Sequence, residues 1–378
     1  MSRAARLDLI VRLLQWHGDH RRPLPWRSAD VRQRPPAYDV LVSESMLQQT
    51  RVETVVDYFD RWLLRWPALV DLAAADEAEV LAAWSGLGYY NRARNLHAAA
   101  RAVVERHGGR LPEARADLAA LPGVGPYTLG ALRSIAFGHA EALVDGNVGR
   151  VFARWHALEQ PPASAKGRAE VWRLAADWLT LAPAQAAPGQ WNEALMELGA
   201  TICRPRRPDC ALCPVAERCQ ARQQGRQGEL PLPTPQKPPT PVRAAAALIL
   251  HRGDGPPRVL LGRRPLKGRW PGLWQPPMFE GQGSAATLAT WLHSAGWPPG
   301  TELPALVHVL THRRYEVHSR LIHSATQDPP SPLAGHEPLR WWSLAEALTA
   351  RRGLSRLAVR LLEQVAVSGE DYLSPCGG

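Results

Sequence analysis

Cysteine is scarce in this chain of 378 residues: there are five, and four of them, Cys203, Cys210, Cys213 and Cys219, fall in one short segment. The fifth, Cys376, stands alone near the end. Nothing in this usage points to an oxidising compartment, so a disulfide framework is the weaker reading. A long apolar run is also missing from the start. Leu7, Ile10, Val11 and Leu14 fall on one face of an amphipathic pattern, but Asp8 and Arg12 interrupt it. That excludes a signal-peptide core and a membrane span there. Acidic residues are in deficit, with 35 Asp and Glu against 45 Lys and Arg, which leaves a formal charge of +10. Such an excess favours a polyanionic partner, most simply nucleic acid. A soluble protein of a reducing compartment is expected, with no membrane partner and no internal repeat.

The four clustered cysteines form a C-x6-C-x2-C-x5-C run. Four thiolates in so short a stretch can enclose one metal centre, either a tetrahedral zinc or a cubane iron–sulfur cluster. Spacing alone does not choose between them. Arg204, Arg206, Arg207, Arg218, Arg222 and Arg226 surround them against only Asp209 and Glu217, a composition suited to phosphate binding.

Two further motifs lie upstream. In Leu121-Pro122-Gly123-Val124-Gly125-Pro126-Tyr127-Thr128, Gly123 and Gly125 permit a tight turn that exposes backbone N–H groups. Pro126 suits the first turn of a helix expected to continue to about Gly138. Such a hairpin can grip a phosphate without reading base identity, although Gly-x-Gly also makes ordinary helix connections. Twenty residues on, Asp145 in Val144-Asp145-Gly146-Asn147-Val148 reads either as a functional carboxylate or as a helix N-cap. The segment Leu41 to Thr50 reads as a mostly buried helix that carries Glu44 among apolar neighbours. A carboxyl group so placed has its pKa raised towards acid catalysis near neutrality, whereas a glutamate on a solvent face would not.

Between Pro231 and Pro241 six of eleven residues are proline, which marks an extended linker. Before it the pattern is helical. After it Val242–Leu250, Arg258–Gly262, Leu306–Thr311 and Tyr315–Ile322 read as strands, with two helical stretches beyond Ser343. The expected organisation is a mainly α catalytic region over residues 1–228, a linker over 229–242, and a smaller α+β domain over 243–370.

Taken together, Leu24-Pro25-Trp26-Arg27, Ser43-Glu44 through Gln48-Gln49-Thr50, Gly86-Leu87-Gly88-Tyr89-Tyr90, the hairpin, Val144 through Val148 and the four cysteines closely resemble the adenine DNA glycosylase (MutY) family. The likeness is strong over residues 7–225 and looser over 242–365. These enzymes belong to the helix-hairpin-helix glycosylases related to endonuclease III and remove adenine mispaired with 8-oxoguanine. The resemblance implies a six-helix barrel beside a second helical subdomain that carries a [4Fe–4S] cluster on Cys203, Cys210, Cys213 and Cys219. It implies Glu44 as general acid and base, Asp145 as the carboxylate facing the oxocarbenium-like sugar, Tyr127 in the adenine pocket, and Asn147 beside the catalytic pair. It also implies DNA and lesion contacts at Arg27, Leu47, Gln48, Gln49, Tyr89, Gly123 and Gly125. Gln49 and Tyr89 would wedge into the duplex. The chemistry is coherent by itself: adenine leaves only when protonated, and a cationic sugar calls for a nearby anion. The base must also leave the stack to be reached.

Endonuclease III-like relatives place a nucleophilic lysine where this chain has Tyr127, so a monofunctional enzyme is implied. The second domain resembles the MutT-like, Nudix-type domain that reads 8-oxoguanine, through Gly272-Leu273-Trp274-Gln275-Pro276-Pro277. Gly281 to Thr301 contains no Asp or Glu, so the acidic helix of a triphosphate hydrolase is missing. The family's Phe-Ser-His lesion core is Leu310-Thr311-His312 here: hydroxyl and imidazole remain and the aromatic does not. Thr311 and His312 are therefore the expected lesion contacts, while His308, His312 and His318 also fit plain strand surface. Expected partners are duplexes with adenine opposite 8-oxoguanine or guanine, bound by a monomer in the bacterial cytoplasm, on the nucleoid. Alternatives are a glycosylase for thymine or uracil opposite guanine, and a non-catalytic DNA-binding protein.

Overall fold

The computed structural model describes residues 2–181, 188–234, 238–253, 255–265, 268–325, 339–350 and 353–367, and divides into two compact units, Met1–Pro235 and Gln236–Gly378. Cys376 lies outside the described residues.

The first unit is helical: α1 Arg3–His20, α2 Ala37–Leu47, α3 Val52–Arg65, α4 Leu69–Ala74, α5 Glu77–Ala83, α6 Asn91–His107, α7 Arg115–Ala119, α8 Pro126–Ala131, α9 Gly146–Trp155, α10 Ala165–Leu179, α11 Pro188–Thr201 and α12 Gln220–Gln223. Helix α1 begins at an N-cap, with Ser2 accepting from the Ala5 N–H. Its buried face is Leu9, Ile10, Leu13 and His17, while Val11 is 53 % exposed. The face read from Leu7, Ile10, Val11 and Leu14 is thus rotated by part of a turn, because α1 packs beside α11 and that contact selects the stripe. The helix after the hairpin extends as expected, but its second half, Leu132–Ala136, is a π turn that ends at Phe137 before Gly138.

The helical unit runs past Gly228. Leu230 is 1 % exposed, and its carbonyl accepts from Arg154 Nε at 2.7 Å. The residue just before the proline-rich segment is therefore packed into the helical unit, and the Leu230–Pro231 peptide is cis.

The second unit is built on β1 Thr240–His251, β2 Arg258–Arg263, β3 Trp274–Gln275, β4 Met278–Glu280, α13 Ser284–Ser294, β5 Thr301–Glu302, β6 Leu306–Val309, β7 Arg313–Ser324, β8 Arg340–Ser343, α14 Leu344–Ala350 and α15 Arg356–Val367. Strands β1 and β7 run parallel from Thr240↔Arg313 to His251↔Ser324, and the other pairings are antiparallel. Ala244 to His251 are buried on both sides, which explains the unbroken apolar run. Ala244, Ala246, Leu248 and Leu250 join a core with Leu357, Leu361 and Leu362 of α15. Ala245, Ala247 and Ile249 meet Leu288 and Leu292 of α13. Helix α13 and the short strands β3, β4, β5 and β8 escaped the sequence reading; the strands are too brief to show a period.

Truncating Leu230 to alanine leaves a void under the end of the first unit and is expected to destabilise it by about 2–5 kcal/mol. Thermal unfolding of the full chain measures this, and an unchanged first transition would place Leu230 outside the core.

Candidate active site

Helix α2 begins behind Pro35-Pro36 and buries every residue from Val40 to Met46. Its internal polar groups are satisfied locally: Ser43 Oγ donates to the Val40 carbonyl and Ser45 Oγ to that of Leu41. Glu44 lies within this stretch at 5 % exposure. Tyr127, in the first turn of α8, donates its hydroxyl to Glu44 Oε2 at 2.5 Å and lies 3.5 Å from Met196 Sδ. Burial pushes the Glu44 carboxyl up to about 7; the Tyr127 hydrogen bond works against this, and Asp145 and Glu193 add to it. The same burial, with Glu44 and Asp145 nearby, holds the Tyr127 phenol protonated well above its usual range.

The hairpin that delivers Tyr127 needs a glycine at its first position. Gly123 has φ +78, and a Cβ there would sit 2.7 Å from Asn95 Cβ. Gly125 is extended and faces open space, as a peptide offered to a phosphate would be.

Asp145 is the N-cap of α9, and its Oδ1 accepts from the Val148 N–H at 2.7 Å. Its Oδ2 accepts from Asn147 Nδ2 at 2.9 Å. The two readings of Asp145 thus describe one geometry, a cap whose carboxylate also faces the cavity. Burial prevails and raises its pKa, while the Val148 and Asn147 donors and Arg150 work against it. Arg150 ties the region together, donating to Asn147 Oδ1 at 2.6 Å and to the carbonyls of Gly199 and Cys203 at 2.8 Å each. Gly199 lets α11 approach, since a Cβ there would lie 2.6 Å from Asn147 Cβ.

Glu44, Tyr127, Asp145 and Asn147 share a cavity of about 470 Å³, with Leu47, Gln48 and Gln49 on its wall. Three acidic and basic side chains there were not anticipated. Glu193 and Glu197 come from α11 and Arg22 from the loop after α1, and all three line the cavity. Arg27, expected among the DNA contacts, lines this cavity. Its Nη2 meets Glu197 Oε2 at 2.9 Å and its Nε meets Glu193 Oε1 at 3.3 Å, so its guanidinium is paired with two carboxylates. Arg22 Nε completes the network on Glu197 at 2.7 Å. Burial acts to raise Glu197, but the two guanidiniums prevail and hold it below the ordinary range; Glu193, with weaker support, is raised by burial. The i, i+4 spacing of Glu193 and Glu197 on a helix was the available signal, and it is also the spacing of any exposed charged face.

The mouth carries Gln49 at φ 60 and Tyr89 at φ 49, both exposed. Tyr89 and the hairpin glycines are not part of the cavity wall.

The four cysteines are free thiols on the chain that follows α11. Burial raises Cys213 to about 12, and Cys203, Cys219 and Cys210 each push the same way, so the four sense one another. Arg154, 2 % exposed, donates to Cys203 Sγ at 3.3 Å and to the carbonyl of Arg204 at 2.7 Å. Among the described residues no three His, Cys, Asp or Glu side chains are gathered as tightly as one bound ion requires. Arg226, expected to face phosphate, is occupied by Glu159 and Glu229.

In the second unit, Leu310, Thr311 and His312 form the tight turn between β6 and β7, closed by the Leu310 N–H on the Arg313 carbonyl at 2.7 Å. Thr311 and His312 are exposed at its tip, and Leu310 packs back onto the core. His308 is buried beside Trp270, whereas His318 is surface and meets Glu316. Helix α13 carries no carboxylate.

Residues 42–176 match the HhH-GPD superfamily base excision DNA repair protein and residues 245–364 a NUDIX domain, which sets the class: a helix-hairpin-helix repair protein with a Nudix-type second domain. The human adenine DNA glycosylase is 36 % identical over 395 residues, covering 89 % of this chain and 70 % of that protein. The adenine DNA glycosylase of Mycolicibacterium smegmatis is 41 % identical over 216 residues, covering 57 % and 70 %. Among solved structures, a thermostable thymine-DNA glycosylase aligns with a TM-score of 0.51 at 29 % identity, over 58 % of this chain and 98 % of its own. The chain belongs to the adenine DNA glycosylase family.

The buried carboxyl has a consequence for stability. Folding raises the Glu44 pKa from 4.5 to about 7, so across that interval the folded chain holds a proton that the unfolded chain has released. Stability from this group is complete below the lower value and is lost as pH rises through the upper one. Glu44→Gln is therefore expected to unfold at a higher temperature than the parent at pH 8, with the difference shrinking towards pH 4.5. Equal gaps at both pH values would mean that Glu44 is hydrated.

Proposed function

We propose that this protein removes adenine paired with 8-oxoguanine or guanine from duplex DNA by hydrolysis of the N-glycosyl bond, and leaves an intact abasic site. The observation that carries the reading is the pair of carboxyl groups in one cavity, Glu44 buried against Tyr127 with its pKa raised to about 7 and Asp145 held by the Val148 N–H and Asn147. Glu44 gives its proton to the base, which makes adenine a leaving group, and then takes one from the attacking water. Asp145 faces the sugar as positive charge develops there. Glu193 lines the same cavity and offers an acceptor to the amino group of adenine. Tyr127 orients Glu44 and offers no amine, so no Schiff base forms. Gln49 and Tyr89, on exposed loops at the mouth, enter the stack and fill the space the flipped base leaves.

The second unit reads the lesion through Thr311 and His312. Cys203, Cys210, Cys213 and Cys219 would hold a [4Fe–4S] cluster: they are unpaired thiols close enough to influence one another, beside the buried Arg154. When bound, the cluster supplies a structural tie for the loop after α11. A monomer acting on DNA in the cytoplasm fits this reading, and no described helix is long and apolar enough to cross a membrane.

The test incubates the protein with duplexes holding A opposite 8-oxoguanine, A opposite G, and T opposite G. Adenine release from the first two is expected, with strand breaks only after alkali. Release of thymine alone, or a borohydride-trapped adduct, overturns the assignment. Glu44→Gln should abolish release while DNA binding persists. Asp145→Asn keeps the N-cap and should cost at least ~10²-fold in rate. A chain ending at Thr234, or His312→Ala in the full chain, is expected to narrow the preference for 8-oxoguanine over guanine while adenine release continues. Undiminished discrimination by both would remove the second unit from lesion reading.

A further inference from the structure

Two loops meet through one side chain: residues 48–50 after α2, which line the cavity, and residues 84–90 between α5 and α6. Each carries one side chain in left-handed backbone, Gln49 at φ 60 and Tyr89 at φ 49. Residues other than glycine persist there only where their surroundings over-determine them. Arg92, 9 % exposed, lies between the two loops. Its Nη1 donates to the carbonyls of Ser45 at 3.0 Å and Met46 at 2.7 Å, in the last turn of α2. Its Nη2 donates to Thr50 Oγ1 and to the carbonyls of Leu87 and Gly88, each at 3.1 Å. The guanidinium also sits 5.3 Å from the Trp84 ring and 5.6 Å from that of Tyr89. Trp84 Nε1 donates to the same Gly88 carbonyl at 3.1 Å, so the peptide before Tyr89 is gripped twice. Among the described residues no carboxylate pairs with Arg92. Carbonyl oxygens and ring faces stabilise the cation instead, at a helix C-terminus where positive charge is favoured.

We infer that Arg92 is a positioning residue that joins the two loops into a single rigid wedge, so that Gln49 and Tyr89 enter the duplex together. This rests on the assignment of those two side chains to the base stack. Arg92 touches neither the base nor the reacting atoms. Lysine cannot replace it: a single ammonium nitrogen cannot span from the end of α2 to the Gly88 carbonyl as the planar fork does.

Hydrogen exchange of the free protein tests the tie, and single-turnover excision tests its use. In Arg92→Lys, amides of residues 46–50 and 86–91 are expected to exchange faster together, by about tenfold or more. Excision should fall about tenfold while duplex affinity changes by less than about threefold. The same substitution in a Gln49→Ala/Tyr89→Ser background should cost less than about twofold, because the tips it positions are gone. A merely structural role would give additive losses. Thr50→Val is the milder variant: through Arg92 it should loosen residues 86–91, although Thr50 lies in the other loop. Loosening of one loop alone, no loosening, or an undiminished loss in the double-variant background overturns the inference. If Gln49→Ala and Tyr89→Ser by themselves leave excision at full rate, the assignment of the two tips fails instead, whatever the exchange shows.

Discussion

A carboxyl group kept from water is the constraint around which the helical unit is organised. Glu44 sits in a helix that buries seven consecutive residues, Val40 to Met46, so its anion lacks hydration and its proton is retained near neutrality. The surrounding groups then divide the work. Tyr127 holds the carboxyl in place, and Asp145 keeps its charge through the Val148 N–H and Asn147. The Arg22–Glu197–Arg27–Glu193 network compensates its own charges internally, so it shapes the cavity without neutralising the acid. Both carboxyl groups are raised by burial, but Asp145 accepts two hydrogen bonds that work against the rise where Glu44 accepts only that of Tyr127.

Positions in this site follow from close backbone approach. Gly199 brings α11 onto the first turn of α9, and the Gly123 turn aims Tyr127 at α2. Arg150 and Arg154 then hold the chain after α11 against α9 by donating to its carbonyls. Buried guanidiniums carry much of this unit's organisation, each satisfied mostly by peptide oxygens.

The Nudix-type unit keeps its fold without the acidic helix of its hydrolytic counterparts. Helix α13 occupies one face of the sheet through Leu288 and Leu292, so packing needs only its apolar side. The exposed tip of the β6–β7 turn keeps the polar Thr311 and His312, while Leu310 has been drawn into packing.

Local chemistry made the cysteine loop, the Gly123–Gly125 hairpin, the strand β1 and the burial of Glu44 legible in the chain, since each depends on a residue's own geometry or on neighbours a few positions away; the meaning of Tyr127 came from the resemblance. The buried face of α1, the packing of Leu230 against the helical unit and the ion pairs of Arg27 were not legible. Each of those outcomes depends on a partner far along the chain: α11 against α1, Arg154 on the Leu230 carbonyl, Glu193 and Glu197 around Arg27. The placing of the Asp145 cap on the cavity wall, and the joining of two loops by Arg92, were likewise visible only in three dimensions. A side chain's periodicity records how its own segment meets water, whereas its charge partner is chosen by whichever distant segment folding brings within hydrogen-bond reach.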